Sequence, residues 1–208
     1  MHHPALMIFA KQPIAGQVKT RLQPEFTAAQ AAEIAELLIR ETVALAVSSW
    51  PDPIYLCGAP DANHPLFQEL AERFNVSLLD QGDGDLGRRM QRALAYGIER
   101  HGAAAVMGCD VPHCDWDILD DANAALARGR AVLGPSEDGG YYLIGVTDAR
   151  AELFADIPWG GPQVLDITLD RANQIDIDFT MLPPLRDIDT AADLWLAARQ
   201  HPRLRPFL

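Results

Sequence analysis

The sequence predicts one α/β domain with a mainly parallel sheet and helices on both faces. Three observations carry that prediction. Short apolar runs alternate with longer stretches of helical periodicity along most of the chain. At 208 residues, 49% of them hydrophobic, the chain is long enough to bury one substantial core. No internal repeat, low-complexity tract or Ser/Gly linker divides it.

The elements follow in order. Ala5 to Ala10 reads as a buried strand. Thr27 to Ser48 reads as a helix, since Thr27 and Gln30 have capping-box spacing and Ile34, Leu37, Leu38 and Leu45 share a face. Trp50-Pro51 stops it. A strand at Ile54 to Cys57 and a helix near Pro65 to Phe74 come next, then a strand at Val76 to Leu79 and a helix from Leu86 to Arg100. Ala103 to Gly108 is a fourth strand, and Trp116 to Arg128 its helix. Two strands, Ala131 to Leu133 and Tyr141 to Val146, flank a Gly-rich turn. Helices at Gln163 to Asn173 and Thr190 to Gln200, with a strand near Phe179 to Leu182, complete the pattern.

Charge narrows the function classes. The formal net charge is −12, from 17 Lys+Arg against 29 Asp+Glu, which argues against broad binding of nucleic acid or anionic membrane. No apolar stretch approaches the roughly 18 residues a membrane span requires, and the start lacks the charged and apolar regions of a signal peptide. Cys57, Cys109 and Cys114 cannot all pair, so the expected setting is reduced and cytoplasmic.

In an open α/β sheet, ligands sit beyond the carboxyl ends of the strands, so the loops there carry the chemistry. The first, FAKQPIAGQVKTRL, places Lys11, Lys19 and Arg21 around a turn at Pro13 to Gly16. It matches neither a Walker A loop nor a dinucleotide fingerprint. Its exposed amides and cations suit phosphate oxygens, or the cations pair with surface carboxylates. The third strand ends in DQGDGDLGRRM, where Gly82, Gly84 and Gly87 allow close backbone approach to a ligand at a helix start. Asp85 there either faces sugar hydroxyls or caps the helix.

The fourth strand delivers Asp110 in GCDVPHC, a way to present a carboxylate to Mg²⁺ or Mn²⁺, or to cap the next turn. Cys109, His113 and Cys114 lack a second ligand pair for zinc, and Cys109 is expected in the core. In GPSEDGGYYLIGV, Gly139-Gly140 makes a tight turn with Glu137 and Asp138 beside it, facing the crevice or forming an ordinary hairpin. Late in the chain, Asp187 and Asp189 share one face of an extended segment while Ile188 faces the other way. Thr190 and Asp193 have capping-box spacing, and Asp189 offers a second metal carboxylate.

The segments FAKQPIAGQVKTRL, GDLGRRM, GCDVPH, GPSEDGGYYLIG and DIDTAADL, in that order, resemble the bacterial GT-A-type, nucleotide-diphospho-sugar-transferase-like family. Some members of that family are glycosyltransferases of arsenosugar biosynthesis. The resemblance spans nearly the whole chain. The layout is more distantly similar to molybdenum-cofactor nucleotidyltransferases and 2-phospholactate guanylyltransferase. The resemblance implies a single GT-A-like domain, with 1–133 as nucleotide-binding half and 134–208 as acceptor-side half. It implies phosphate contacts from Lys11, Gly16, Lys19 and Arg21, nucleotide contacts from Gly84, Asp85 and Gly87, and Mg²⁺ or Mn²⁺ on Asp110 and Asp189. Asp138, Gly139, Gly140 and Trp159 would meet sugar or acceptor, with Asp138 as base. Trp159-Gly160-Gly161-Pro162 stands where that family has a W-S-T-like segment, so the hydroxyls are missing.

The expected activity is glycosyl transfer from a nucleotide-diphospho-sugar to a small-molecule acceptor. The alternatives are nucleotidyl transfer from an NTP to a phosphorylated acceptor, and a catalytically silent nucleotide-binding protein.

Overall fold

The computed structural model describes residues 3–23, 25–51 and 53–208. Seven strands are described: β1 (Ala5–Lys11), β2 (Ile54–Ala59), β3 (Ser77–Asp80), β4 (Ala104–Met107), β5 (Ala131–Pro135), β6 (Tyr141–Val146) and β7 (Phe179–Met181). They interleave with α1 (Ala28–Ser49), α2 (Pro65–Phe74), α3 (Leu86–His101), α4 (Trp116–Ala127), α5 (Val164–Gln174) and α6 (Ala191–Ala198). The sheet order is β3-β2-β1-β4-β6-β5-β7. β1, β2, β3 and β4 pair in parallel, β5 pairs in parallel with β7, and β6 lies antiparallel between β4 and β5. The expected single α/β domain is therefore the one observed.

Alternation along β1 explains why both faces are covered. Leu6, Ile8 and Ala10 enter a core shared with α1, α2 and α4, whereas Ala5 and Met7 enter one shared with α3 and α5. A third cluster joins Leu22, Phe26, Ile34 and Leu38 to Leu194, Ala197 and Leu204. It docks the C-terminal α6 against α1 and the loop after β1. Ile188 is buried in that cluster, so the chain on either side of it is held there.

The helix starts obey the sequence signals. Thr27 and Gln30 form the predicted capping box on α1, and Thr190 and Asp193 form the other on α6. No helix among the described residues is long and apolar enough to cross a membrane. Cys57, Cys109 and Cys114 are all unpaired and buried, Cys109 as expected from its place in the core. Burial pushes the Cys57 and Cys109 thiols far up, which makes them inert packing groups.

Candidate active site

The loop after β1 turns back through two hydrogen bonds, Ile14 N to Gln12 O (2.8 Å) and Gln17 N to Ile14 O (2.9 Å). Lys11 stays exposed at its mouth, and Gly16 sits at the outer turn with φ 81°. Lys19 adopts φ 47°, a left-handed conformation uncommon outside glycine. That bend turns its side chain inward, leaving it only 7% exposed. Its ammonium lies 2.7 Å from Asp110 Oδ1 and also donates to the Ile188 carbonyl. Two residues on, in a short 3₁₀ turn pinned by buried Leu22, Arg21 Nη1 donates to Asp189 Oδ2 at 2.9 Å.

Cations from residues 19 and 21 thus meet carboxylates from residues 110 and 189. The backbone ties the same segments together, since Ile188 N donates to Asp110 O at 2.8 Å. With Ile188 plugged into the core, Asp187 and Asp189 are left facing away from it, as the D-I-D alternation predicts.

Asp138, Asp187 and Asp189 each offer an oxygen, and these oxygens lie within 4.8 Å of one another. Asp110 and Asp189, the pair expected to hold the metal, both line one cleft, and Asp189 also belongs to this trio. Asp110 is outside this trio and instead holds Lys19. Asp187 was absent from the expected ligands, although its shared face with Asp189 was the signal that could have supplied it. Burial, then the charges of Asp138, Asp189 and Asp110, push the Asp187 carboxyl up to about 6. Three hard oxygen donors this close together fit Mg²⁺ or Mn²⁺ well. No cluster of this size elsewhere among the described residues brings His, Cys, Asp and Glu together. His113 contacts His201 (3.0 Å) instead of forming a zinc site with its neighbouring cysteines.

The remaining predicted residues have structural duties. Asp85 accepts from Arg88 N at 2.9 Å and caps α3, the alternative the sequence had left open. Gly84 has φ 102°, and its loop is braced by Arg89 Nε on the Gly84 carbonyl (2.9 Å). Gly87 provides a seat for Trp159: a Cβ there would fall 2.6 Å from the indole. Trp159 also packs edge-on against Tyr141, with ring centroids 6.4 Å apart. Gly139, at φ 90°, sits so close to Pro162 that a Cβ would meet its carbonyl oxygen at 2.0 Å. Asp138 Oδ1 accepts from Gly140 N (2.9 Å), which fixes the carboxylate on the turn.

Two hollows flank these groups. A cleft of about 420 Å³ runs along Lys11, Lys19, Arg21, Asp110 and Asp189 to Gln81 and Leu86, two residues the sequence reading did not select. A smaller hollow of about 300 Å³ is lined by Glu137, Asp138, Arg186, Asp187, Asp189 and Asp193. Asp189 lies on the wall of both.

The chain is similar to a protein from Desulfovibrio desulfuricans G20 provisionally described as a nucleotide-diphospho-sugar transferase. The two share 27% identity and a TM-score of 0.86, over 96% of this chain and 88% of that one. A cytidylyltransferase from Leptospira borgpetersenii serovar Hardjo-bovis is similar at 15% identity and TM-score 0.59, over 98% of this chain and 97% of that one. Rv0371c from Mycobacterium tuberculosis H37Rv, in complex with manganese, is similar at 14% identity and TM-score 0.55, over 93% of this chain and 97% of that one. At such identities these last two speak for the fold alone. No curated protein gives a significant match. Residues 42–161 match the family DUF2064, described as an uncharacterized protein conserved in bacteria, and the chain belongs to that family.

Proposed function

We propose that the chain is a metal-dependent glycosyltransferase that moves a sugar from a nucleotide-diphospho-sugar to a hydroxyl of a small-molecule acceptor. The observation that carries this reading is the meeting of Lys19 and Arg21 with Asp110 and Asp189 on one cleft beyond the strand ends. Lys19 and Arg21, with Lys11 and the Gly16 turn at the mouth, bind the diphosphate. Asp187 and Asp189 would hold Mg²⁺ or Mn²⁺, with Asp138 beside them in the smaller hollow and Asp110 in the larger cleft that Asp189 also lines. A bound divalent cation supplies Lewis-acid stabilisation of the departing diphosphate.

The donor lies against residues 1–133, and the acceptor enters from residues 134–208. Asp138, fixed by Gly140 N, orients the acceptor hydroxyl and accepts its proton, a role typically contributing about 10²–10⁴-fold. Gly139 and Gly140 hold that turn, and Trp159 supports it through Tyr141 rather than by touching the acceptor. Gly84, Asp85 and Gly87 shape the donor side by placing the start of α3.

The smaller hollow favours sugar transfer over nucleotidyl transfer. Its lining carries five carboxylates against Arg186, which is itself paired with Glu137 at 2.6 Å. That field repels a phosphorylated acceptor and suits a neutral hydroxyl compound. The likeness to the D. desulfuricans protein supports the same reading.

The test is incubation with a panel of nucleotide-diphospho-sugars and Mn²⁺ or Mg²⁺, reading nucleoside diphosphate released with a broad acceptor set. Metal-dependent release that Asp189→Ala abolishes is the expected result. Phosphate release from NTPs with pyrophosphatase and phosphorylated acceptors would transfer the reading to nucleotidyl transfer. Nucleotide-dependent thermal stabilisation without turnover of either kind would make the chain a binding protein.

A further inference from the structure

After β4 and Asp110 the chain turns at Pro112, where Cys114 N donates to Val111 O at 3.1 Å. The turn ends on Asp115, whose Oδ1 accepts from Ile118 N at 3.0 Å and caps α4. Trp116 is therefore the first residue of that helix, and it remains 51% exposed. Beside it opens a third hollow of about 340 Å³, with Leu45, Met107, Val111 and Pro112 on its apolar side. That volume falls in the range of small-molecule sites, about 300–1,000 Å³. Its wall shares no residue with the larger cleft or with the smaller acidic hollow. α1 contributes to two of them: Ala35 and Ile39 line the cleft, whereas Glu41 and Leu45 line this third hollow.

Charge and ring chemistry together define what fits there. Two carboxylates, Glu41 and Asp115, stand against one guanidinium, Arg203, so with histidine neutral the wall carries one uncompensated negative charge. Arg203 does not seal the hollow. Its Nη1 lies 3.1 Å from Glu41 Oε1, but its side chain is 73% exposed against 23% for Glu41. Exposed pairs of this kind open at little cost, so an incoming cation can take Glu41 from Arg203. Asp115 spends Oδ1 on the helix cap and keeps its charge. The face of an indole attracts cations more strongly than any other aromatic side chain. The apolar side of the hollow calls for a hydrocarbon body on the same molecule.

We propose that this hollow is a second ligand site and that it takes an organic monocation. The ammonium sits between the Trp116 face and the Glu41 and Asp115 carboxylates, with its hydrocarbon part against Leu45, Met107 and Val111. One positive charge leaves the wall neutral, which excludes anions and gives neutral analogues no electrostatic gain. The proposal stands apart from the transferase reading, because neither the cations of the cleft nor the acid trio takes part in it.

Calorimetry tests this with benzyltrimethylammonium, benzyl alcohol and phenylacetate, which share an aromatic body and differ in charge. The wild type is expected to bind the ammonium with one-to-one stoichiometry, and benzyl alcohol about tenfold more weakly or less. Phenylacetate should be the weakest of the three. Trp116→Leu keeps an apolar side chain but removes the ring, and should cost the ammonium about fivefold. Glu41→Gln should weaken the ammonium and leave benzyl alcohol unchanged. Asp187→Asn, which removes a charge from the smaller hollow, should leave ammonium binding as it was. Equal binding of ammonium and alcohol, tighter binding of phenylacetate, or no binding of any of them overturns the proposal on wild type alone, even where a variant fails to fold. An unchanged ammonium affinity in folded Trp116→Leu overturns it as well. Loss in Asp187→Asn would move the cation to the smaller hollow and likewise overturn it.

Discussion

Lys19 and Arg21 are two residues apart and differ in what their ion pairs cost to open. Arg21 is 67% exposed and its partner Asp189 36%, and such surface pairs typically contribute about 0–1 kcal/mol. A phosphate can therefore take Arg21 from Asp189 at little cost, which also releases a carboxylate for a cation. Lys19 is withdrawn from water and ties Asp110 to the Ile188 carbonyl, so its loss should disturb the fold as well as the proposed phosphate contact. Lys19→Ala is expected to weaken pyrophosphate binding at least tenfold and to lower the melting temperature, whereas Arg21→Ala should weaken binding with little change in melting. Paired calorimetry and thermal unfolding check both. Asp187 gives a pH signature. Its folded carboxyl titrates near 6, above the ordinary aspartate value of 3.8, so between those values the folded chain binds a proton that the unfolded chain has released. Metal-free stability should therefore fall as pH rises through that window. Melting curves against pH should show that slope in wild type and lose it in Asp187→Asn. Mn²⁺ affinity should fall as pH drops through about 6, because the proton competes for the same oxygen.

Elements set the angles at which these residues arrive. α3 begins at a cap, and the cap explains Asp85 without recourse to substrate. Asp85→Ala is expected to cost about 1 kcal/mol, and Asp85→Asn, which keeps an acceptor for the Arg88 amide, only a few tenths. Denaturant unfolding separates the two, and unchanged nucleotide affinity in Asp85→Asn would confine the residue to capping. The turn between β5 and β6 depends on Gly139 for two reasons, its φ of 90° and the Pro162 carbonyl 2.0 Å from any added Cβ. Leu165 N donating to Gly139 O (2.8 Å) extends the same clamp to the start of α5. Gly139→Ala should displace Asp138 from the acid trio, destabilise the fold by about 2 kcal/mol or more and lower Mn²⁺ affinity. Retained Mn²⁺ affinity in that variant would remove Asp138 from the metal's surroundings.

At the scale of the whole molecule, the site closes a very long loop. Arg21 and Asp189 are 168 positions apart, and the third core cluster brings them together by docking α6 on α1. Packing in that cluster and integrity of the site should therefore be coupled. Leu194→Ala, in the core cluster and not on the wall of either hollow, is expected to cost about 2–5 kcal/mol and to weaken Mn²⁺ binding in proportion to the loosening of the 187–189 segment. Metal titration well below the melting transition checks this. Undiminished affinity would show that the segment is held by the Asp110 and Lys19 contacts without α6. The overall charge of −12 adds a field that draws in divalent cations, so Mn²⁺ affinity should decline with rising salt as that field is screened.

The sequence by itself determined the α/β class, the helix caps and the loops that carry the polar groups, because these depend on local periodicity and spacing. Thr27 with Gln30, Thr190 with Asp193, and the opposed faces of Ile188 and Asp189 are all short-range relations. Tertiary structure alone decided which carboxylates gather. Asp138 joins Asp187 and Asp189 while Asp110 turns to Lys19, since burial of Ile188 and the Gly139–Pro162 contact fix those directions across the chain. It also decided the placement of β6 between β4 and β5, because that follows from which strands become neighbours.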